Sequence, residues 1–209
     1  MRYLAWVGIP ARVFNVGSYR RQGTPHPNAA FFDPRNEEGE QARKSAAEAA
    51  VADMIRWFRE KNGTVAILDA TNSTVARRRW IYQSCCEADI ETLFVESVCD
   101  SEDIIMHNIL EVKATSPDYE GQDPEAAAQD FRKRIRNYEK SYETIGEAER
   151  NYTYVKLINV SSTVIINQIK DYLSSRLVYY LQNLHIKPRS IWLSRVGGVN
   201  NHTCVTSIY

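Results

Sequence analysis

Four short apolar runs punctuate the chain: Arg12–Val16 (RVFNV), Thr64–Ala70 (TVAILDA), Glu91–Val98 (ETLFVESV) and Tyr152–Val160 (YTYVKLINV). Each is rich in β-branched and aromatic residues, which fit a pleated and half-buried surface, and each is predicted as a strand. Between them apolar residues recur at helical steps. In Glu37–Lys61 the face Ala47, Ala50, Met54, Trp57 repeats every three or four residues, and Asn62-Gly63 supplies a stop. Glu102–Lys113 and Pro124–Tyr142 read as helices, the second with a stripe of Phe131, Ile135, Tyr138 and Tyr142; Thr163–Asn183 reads as a final long helix. Strands alternating with helices predict an α/β fold with a mainly parallel sheet, and near-continuous apolar strands suit a sheet covered on both faces. Such sheets bind ligands beyond the carboxyl ends of their strands, which is where Asp69, Cys99 and the segment Val16–Arg21 fall. A fifth run, Ser190–Val196, is predicted to open a second domain that the chain does not complete, followed by a loosely ordered tail from Gly197 to Tyr209.

Composition narrows the function classes. The 209 residues suffice for one sizeable core with a small appendage. The 26 basic residues are balanced by 26 acidic ones, which argues against a general nucleic-acid or membrane-surface binder. A small anionic substrate needs only a local basic cluster. No apolar stretch is long enough to cross a membrane, and the N-terminus is too interrupted for a signal peptide. Cys85 and Cys86 are adjacent and Cys99 and Cys204 isolated, so neither a zinc spacing nor a disulfide framework emerges and a reducing cytoplasm is expected.

The chemistry concentrates in TVAILDATNSTVARRRW (Thr64–Trp80). Ala66-Ile67-Leu68-Asp69 is a strand ending in an acid, the pattern that places a carboxylate on nucleotide-bound Mg²⁺ in phosphotransferases. Read alone, Asp69 reads first as a solvated acid or a helix cap, and Thr71-Asn72 fits an N-cap. Arg77, Arg78 and Arg79 open the next helix, where a guanidinium suits a phosphate ester and where a solvated face is the plainer reading. Arg20, Arg21, Arg43 and Lys113 carry the same two readings. Arg134 and Tyr138 share a helix face, or Arg134 lies along the apolar stripe with its head in water. Cys99 reads first as a buried small residue.

Taken together and in order, the blocks GIPARVFNVGSYRR, ILDATNST with Arg77, FVESVCD, NILEVKATSPDY, DFRKRIRNYEKSYE and SRLVYYLQNLHIKPRSIWLSR resemble the kinase half of the bifunctional 6-phosphofructo-2-kinase/fructose-2,6-bisphosphatase family. The resemblance runs from about Leu4 to Arg195. It implies a P-loop-kinase-like three-layer α/β fold and transfer of a phosphoryl group from ATP, with Mg²⁺, to the 2-hydroxyl of fructose 6-phosphate. Carried over by position, Asp69 matches the Mg²⁺-linked catalytic acid and Cys99 the active-site cysteine. Arg20, Arg43, Thr71, Arg77, Lys113, Arg134 and Tyr138 match sugar-phosphate contacts. The segment Asn108, Ile109, Leu110, Glu111, Val112, Lys113 matches a nucleotide-contacting stretch.

The chain also departs from the family. None of its nine glycines begins a Gly-Lys-Ser/Thr, so the G-x-x-x-x-G-K-[ST] phosphate loop and its strand are expected to be missing, ahead of Met1. The phosphatase half should begin Arg-His-Gly, whereas Arg195 is followed by Val196-Gly197. The resemblance therefore divides the chain into an incomplete kinase domain, 1–188, and a vestigial phosphatase start with an unrelated tail, 189–209, without phosphatase chemistry. Kinase activity is expected to be impaired. The alternative is a non-catalytic remnant that binds sugar phosphate or pairs with a full-length paralogue, and in either case a homo-oligomer or such a pairing is the expected assembly.

Overall fold

The structure, a computed structural model, describes residues 1–23, 28–113, 117–160, 162–183, 191–194 and 205–208; for residues 110–113, 124, 191–194 and 205–208 only the backbone is described. The elements run α1 (Arg2–Trp6), β1 (Ala11–Asn15), α2 (Val16–Gly23), α3 (Glu37–Lys61), β2 (Val65–Asp69), α4 (Val75–Glu87), β3 (Phe94–Val98), α5 (Glu102–Lys113), α6 (Pro124–Glu139), β4 (Tyr154–Ile158), β5 (Thr163–Asn167), α7 (Tyr172–Gln182), β6 (Ile191–Ser194) and β7 (Val205–Ile208). Single 3₁₀ turns lie at Ala29–Phe32, Pro117–Tyr119 and Glu147–Glu149. This is an α/β fold with parallel strand pairing, as the alternating pattern predicts. The chain forms two compact units, residues 1–92 with 101–152, and residues 93–100 with 153–209.

In the first unit β1 and β2 pair in parallel, with Asn15 opposite Asp69 at their carboxyl ends. Helix α3 connects them, and its boundaries follow from local chemistry. The Asn36 side chain accepts the Gly39 amide at 2.8 Å, Glu37, Glu38 and Glu40 complement the positive end of the helix, and Asn62 closes it in the left-handed region at φ 47°. Gly39 is required by packing, because a Cβ there would collide with the carbonyl oxygen of Phe31. Phe14, Val51, Met54, Ile81 and Cys85 form the buried core between strand and helices, with Trp57, Phe58, Leu68 and Trp80 packed around them. Each such side chain contributes roughly 1.5–3 kcal/mol by leaving water.

In the second unit β3 pairs in parallel with β4, and β4 pairs antiparallel with β5. A partly buried Lys156–Glu96 ion pair at 3.4 Å joins adjacent positions on β4 and β3. The expected helix from Thr163 to Asn183 is thus a strand and a shorter helix. Thr163-Val164-Ile165-Ile166 is stiff and β-branched, follows a turn with Asn159 and Val160 at positive φ, and folds back on β4. Helix α7 then starts where Asp171 caps the Ser174 amide at 2.8 Å. Coverage on both faces does not hold for β5, where successive Ile165 and Ile166 point to opposite sides and both are exposed. The tail expected to be loosely ordered carries β7, paired antiparallel with β6. Among the described residues no helix is long and apolar enough to cross a membrane.

Candidate functional site

The carboxyl end of β2 leads into a tightly held loop. Asp69 is exposed and its Oδ2 accepts the Asn15 side-chain amide at 2.5 Å across the strand pair. Beyond it Thr71 is exposed and Asn72 takes a left-handed backbone at φ 42°. Thr74 caps α4 through the Arg77 amide at 3.2 Å. Two segments from much later in the chain fasten this loop. Glu143 donates its amide to the Ser73 carbonyl at 2.8 Å and accepts the Val75 amide on its carboxylate at 2.7 Å. Arg78 donates to the Asn72 carbonyl at 3.1 Å and forms a two-pronged bond to Glu149, both prongs 2.7 Å. Both members of that pair are buried.

Thr71 and Ser73 line a cavity of about 340 Å³ whose opposite wall is α6, through Phe131, Arg134, Ile135 and Tyr138. Helix α6 begins with Asp123 capping the Ala126 amide at 2.9 Å and Pro124 in the first turn, where a missing amide proton does no harm. Its four-residue repeat puts Arg134 and Tyr138 on the same wall.

Behind that wall lies an aromatic pair. Phe31 and Phe32 meet edge to face at 5.1 Å, and three arginines from three helices gather on them. Arg134 sits 3.7 Å from the Phe32 ring centre, and Arg20 and Arg43 at 5.6 and 5.9 Å. Arg43 also donates to the Phe31 carbonyl. A desolvated cation over an aromatic face gains up to about 2 kcal/mol, which offsets part of the repulsion among these charges.

The guanidinium groups fall into two classes. Arg20 and Arg134 bond to Asp118 at 2.7 and 2.9 Å, and Arg21 joins them at 3.2 Å. Burial alone would raise the Asp118 pKa, but the bonds from Arg20 and Arg134 win and hold it below the ordinary carboxylate value. Arg43 and Arg77 have no carboxylate partner among the described residues. Burial is the leading cause that lowers both their pKa values; for Arg77 the nearby Glu48 partly opposes it and Arg43 adds to it, and for Arg43 Tyr138 and Glu40 partly oppose it. An arginine so shifted still keeps its charge at neutral pH. Two half-buried cations that form no direct ion pair, with Glu40 and Glu48 acting on them only through space, can still receive an anion.

The structure therefore brings Arg20, Arg43, Arg134, Tyr138 and Thr71 to one region, with Arg77 within electrostatic reach. Arg20 is the most enclosed of these four arginines, 6 % exposed and already bonded to Asp118. Asn108 is partly exposed on α5 and the Ile109 side chain is buried, whereas the side chains of Leu110, Glu111, Val112 and Lys113 lie outside the described residues. Cys99 follows β3 in the second unit and is partly buried. Sequence reasoning missed Asp118, Phe31, Phe32 and Glu149, and it read Arg78 as a phosphate ligand or part of a solvated face, whereas Arg78 is buried on Glu149. Asp118 stood within the quoted SPDY block, but nothing in its spacing announced arginines 98, 97 and 16 residues away.

Comparison with known proteins identifies the family of the chain. A family model for 6-phosphofructo-2-kinase matches residues 1–188. The chain is 44% identical over 198 residues to human 6-phosphofructo-2-kinase/fructose-2,6-bisphosphatase 4, covering 94% of this chain and 42% of that protein. It is 42% identical over 200 residues to a fructose-2,6-bisphosphatase of Saccharomyces cerevisiae, covering 94% and 44%. A rat 6-phosphofructo-2-kinase/fructose-2,6-bisphosphatase 3 matches at 42% over 199 residues, with 36% of its length covered. The chain thus spans less than half the length of these relatives. With a family model covering all but the last 21 of its 209 residues, the chain belongs to the 6-phosphofructo-2-kinase family.

Proposed function

We propose that this chain binds fructose 6-phosphate in the cavity between the Thr71–Ser73 loop and α6, and that it serves ATP-dependent phosphorylation of that sugar to fructose 2,6-bisphosphate in the cytoplasm. The observation that carries the reading is a cavity walled by Thr71, Arg134 and Tyr138, with the half-buried Arg43, which forms no ion pair, in electrostatic reach of Arg134 and Tyr138, and Arg77 in reach of Arg43. The guanidinium groups take the sugar's phosphate through charge-assisted bonds, and the Thr71 and Tyr138 hydroxyls orient its ring oxygens. Phe131 and Ile135 exclude water from the apolar side of the cavity. Orientation of this kind is the chief protein contribution to phosphoryl transfer.

Among the described residues no group of three or more His, Cys, Asp or Glu side chains is placed to hold a metal. Nucleotide-bound Mg²⁺ does not need one, since it takes one or two carboxylates and fills its shell with phosphate oxygens and water. A single exposed Asp69 at a strand end, its orientation fixed by Asn15, fits that demand. Asp69 would hold the metal and Asn108 on α5 would face the nucleotide. Mg·ATP supplies the phosphoryl group and neutralises its charge during transfer.

Arg77→Ala tests the reading. A hydrogen bond to a charged group contributes about 1.5–3 kcal/mol, so titration calorimetry should show fructose 6-phosphate binding at least roughly tenfold more weakly in the variant. Equal affinity in variant and parent would remove the phosphate from this site.

A further inference from the structure

We propose that Asp118 is the positioning residue of the sugar-phosphate site, acting through Arg134; this rests on the reading of the cavity given above. Its carboxylate is 4 % exposed and its acceptor positions are filled. Oδ1 accepts Arg20 at 2.7 Å and Arg21 at 3.2 Å, while Oδ2 accepts Arg20 at 2.9 Å and Arg134 at 2.9 Å. A carboxylate has about four such positions, so Asp118 has none left for a ligand or a metal. It faces inward, to the arginines, and only Arg134 among those three lines the cavity.

The charge count explains why this arrangement suits an anion. One carboxylate against three guanidinium groups leaves the cluster with two net positive charges. Without Asp118, Arg20 and Arg21 on α2 would repel Arg134 on α6 at short range and in a poorly solvated place. With it, Arg134 is held by Oδ2 on one side, by the Tyr119 hydroxyl and by the Phe32 ring, in the position where it lines the cavity. The turn that carries Asp118 is itself anchored. The Tyr119 hydroxyl donates to Asp130 on α6 at 2.9 Å, and Asp130 accepts the Ala29 amide at 2.9 Å, so α6, the turn and the aromatic pair are tied to one another. Burial and the bond to Asp130 push the Tyr119 pKa up to about 12, which keeps that phenol a donor.

An acid beside a phosphate site would ordinarily be read as a competitor that weakens it. The geometry points the other way, because Asp118 is saturated and enclosed and its removal frees a cation to leave the wall. Calorimetric titration of fructose 6-phosphate into the parent, Asp118→Asn, Arg134→Ala and the double variant separates the two. Asp118→Asn keeps the shape and one acceptor, so the expected result is a loss of roughly tenfold or more. The double variant should bind no more weakly than Arg134→Ala alone, since the acid acts through that arginine. Affinity of Asp118→Asn equal to or above that of the parent, or a loss that adds in full to that of Arg134→Ala, overturns the inference. Should Asp118→Asn not fold, Arg134→Lys decides. It keeps the charge but lacks the fork that grips Asp118 and ligand together, so a similar loss is expected, and parent-like affinity refutes the role. A parent that fails to bind the sugar phosphate overturns the reading of the cavity, and this inference with it. A parent weakened by Arg77→Ala but indifferent to Asp118→Asn and Arg134→Lys overturns this inference alone.

Discussion

Glu149→Ala should lower the stability of the folded chain by about 3–5 kcal/mol, the cost of stranding one partner of a buried ion pair. Arg78 and Glu149 are 3 % and 1 % exposed and joined by two bonds of 2.7 Å. Removing the carboxylate leaves a buried guanidinium without the Glu149 charge that offsets its desolvation. Surface ion pairs of this protein, such as Arg150–Glu147 at 3.2 Å, contribute no more than about 1 kcal/mol by comparison. Loss of the pair also slackens the Arg78 bond to the Asn72 carbonyl. For a chain of this length the melting midpoint should fall by about 6–20 °C. Replacing both partners by apolar residues of similar volume, Arg78→Met with Glu149→Leu, should recover most of the loss, because no buried charge is then unmatched. Urea denaturation of the three proteins measures this; a single variant within about 1 kcal/mol of the parent would show that the pair is not desolvated as described.

Phe32→Ala carries the second large effect, about 3–5 kcal/mol of stability. Phe32 is 3 % exposed and touches Phe31, Tyr138 and three guanidinium groups. The loss combines a cavity left in packed structure with withdrawal of the ring face on which Arg134 lies. Stability and affinity for fructose 6-phosphate should therefore fall together. Phe32→Leu retains most of the volume and removes only the π face, so its affinity should fall with a much smaller change in stability. Denaturation and titration of both variants test the division, and an unchanged affinity in Phe32→Leu would show that packing alone matters at this position.

Much of the fold was legible because hydrophobic spacing records which face is buried. The strands around Phe14, Leu68, Val95 and Leu157 and helix α3, from Glu37 to its Asn62 stop, follow from that spacing. It does not record the partner. Thr163–Asn167 abuts a helical pattern without a glycine or proline between, so one period was read through both. Val16–Gly23 contains two glycines, a serine and a β-branched residue, poor helix formers by themselves, and its helix rests on tertiary packing against α3. In the site, the basic residues of α6 were legible as a stripe, but arginines read identically whether they await an anion or already hold Asp118. That distinction lies in contacts between elements far apart along the chain.

The fastening of the Asn72 loop has a consequence for synthesis. Its partners Glu143 and Glu149 lie 68 and 71 residues beyond Val75 and Arg78. A ribosome adding roughly 5–20 residues per second makes that stretch in about 4–14 s. During that interval β1, α3 and β2 already have all their own residues, whereas the loop bearing Thr71 has neither clamp. The site is therefore the late part of a nascent chain, assembled across a long and entropically costly closure. Stalled chains ending before Glu143 should show rapid amide exchange at Ala70–Thr74, and chains extending past Glu149 should show protection there; equal protection in both would mean that the loop sets its own shape.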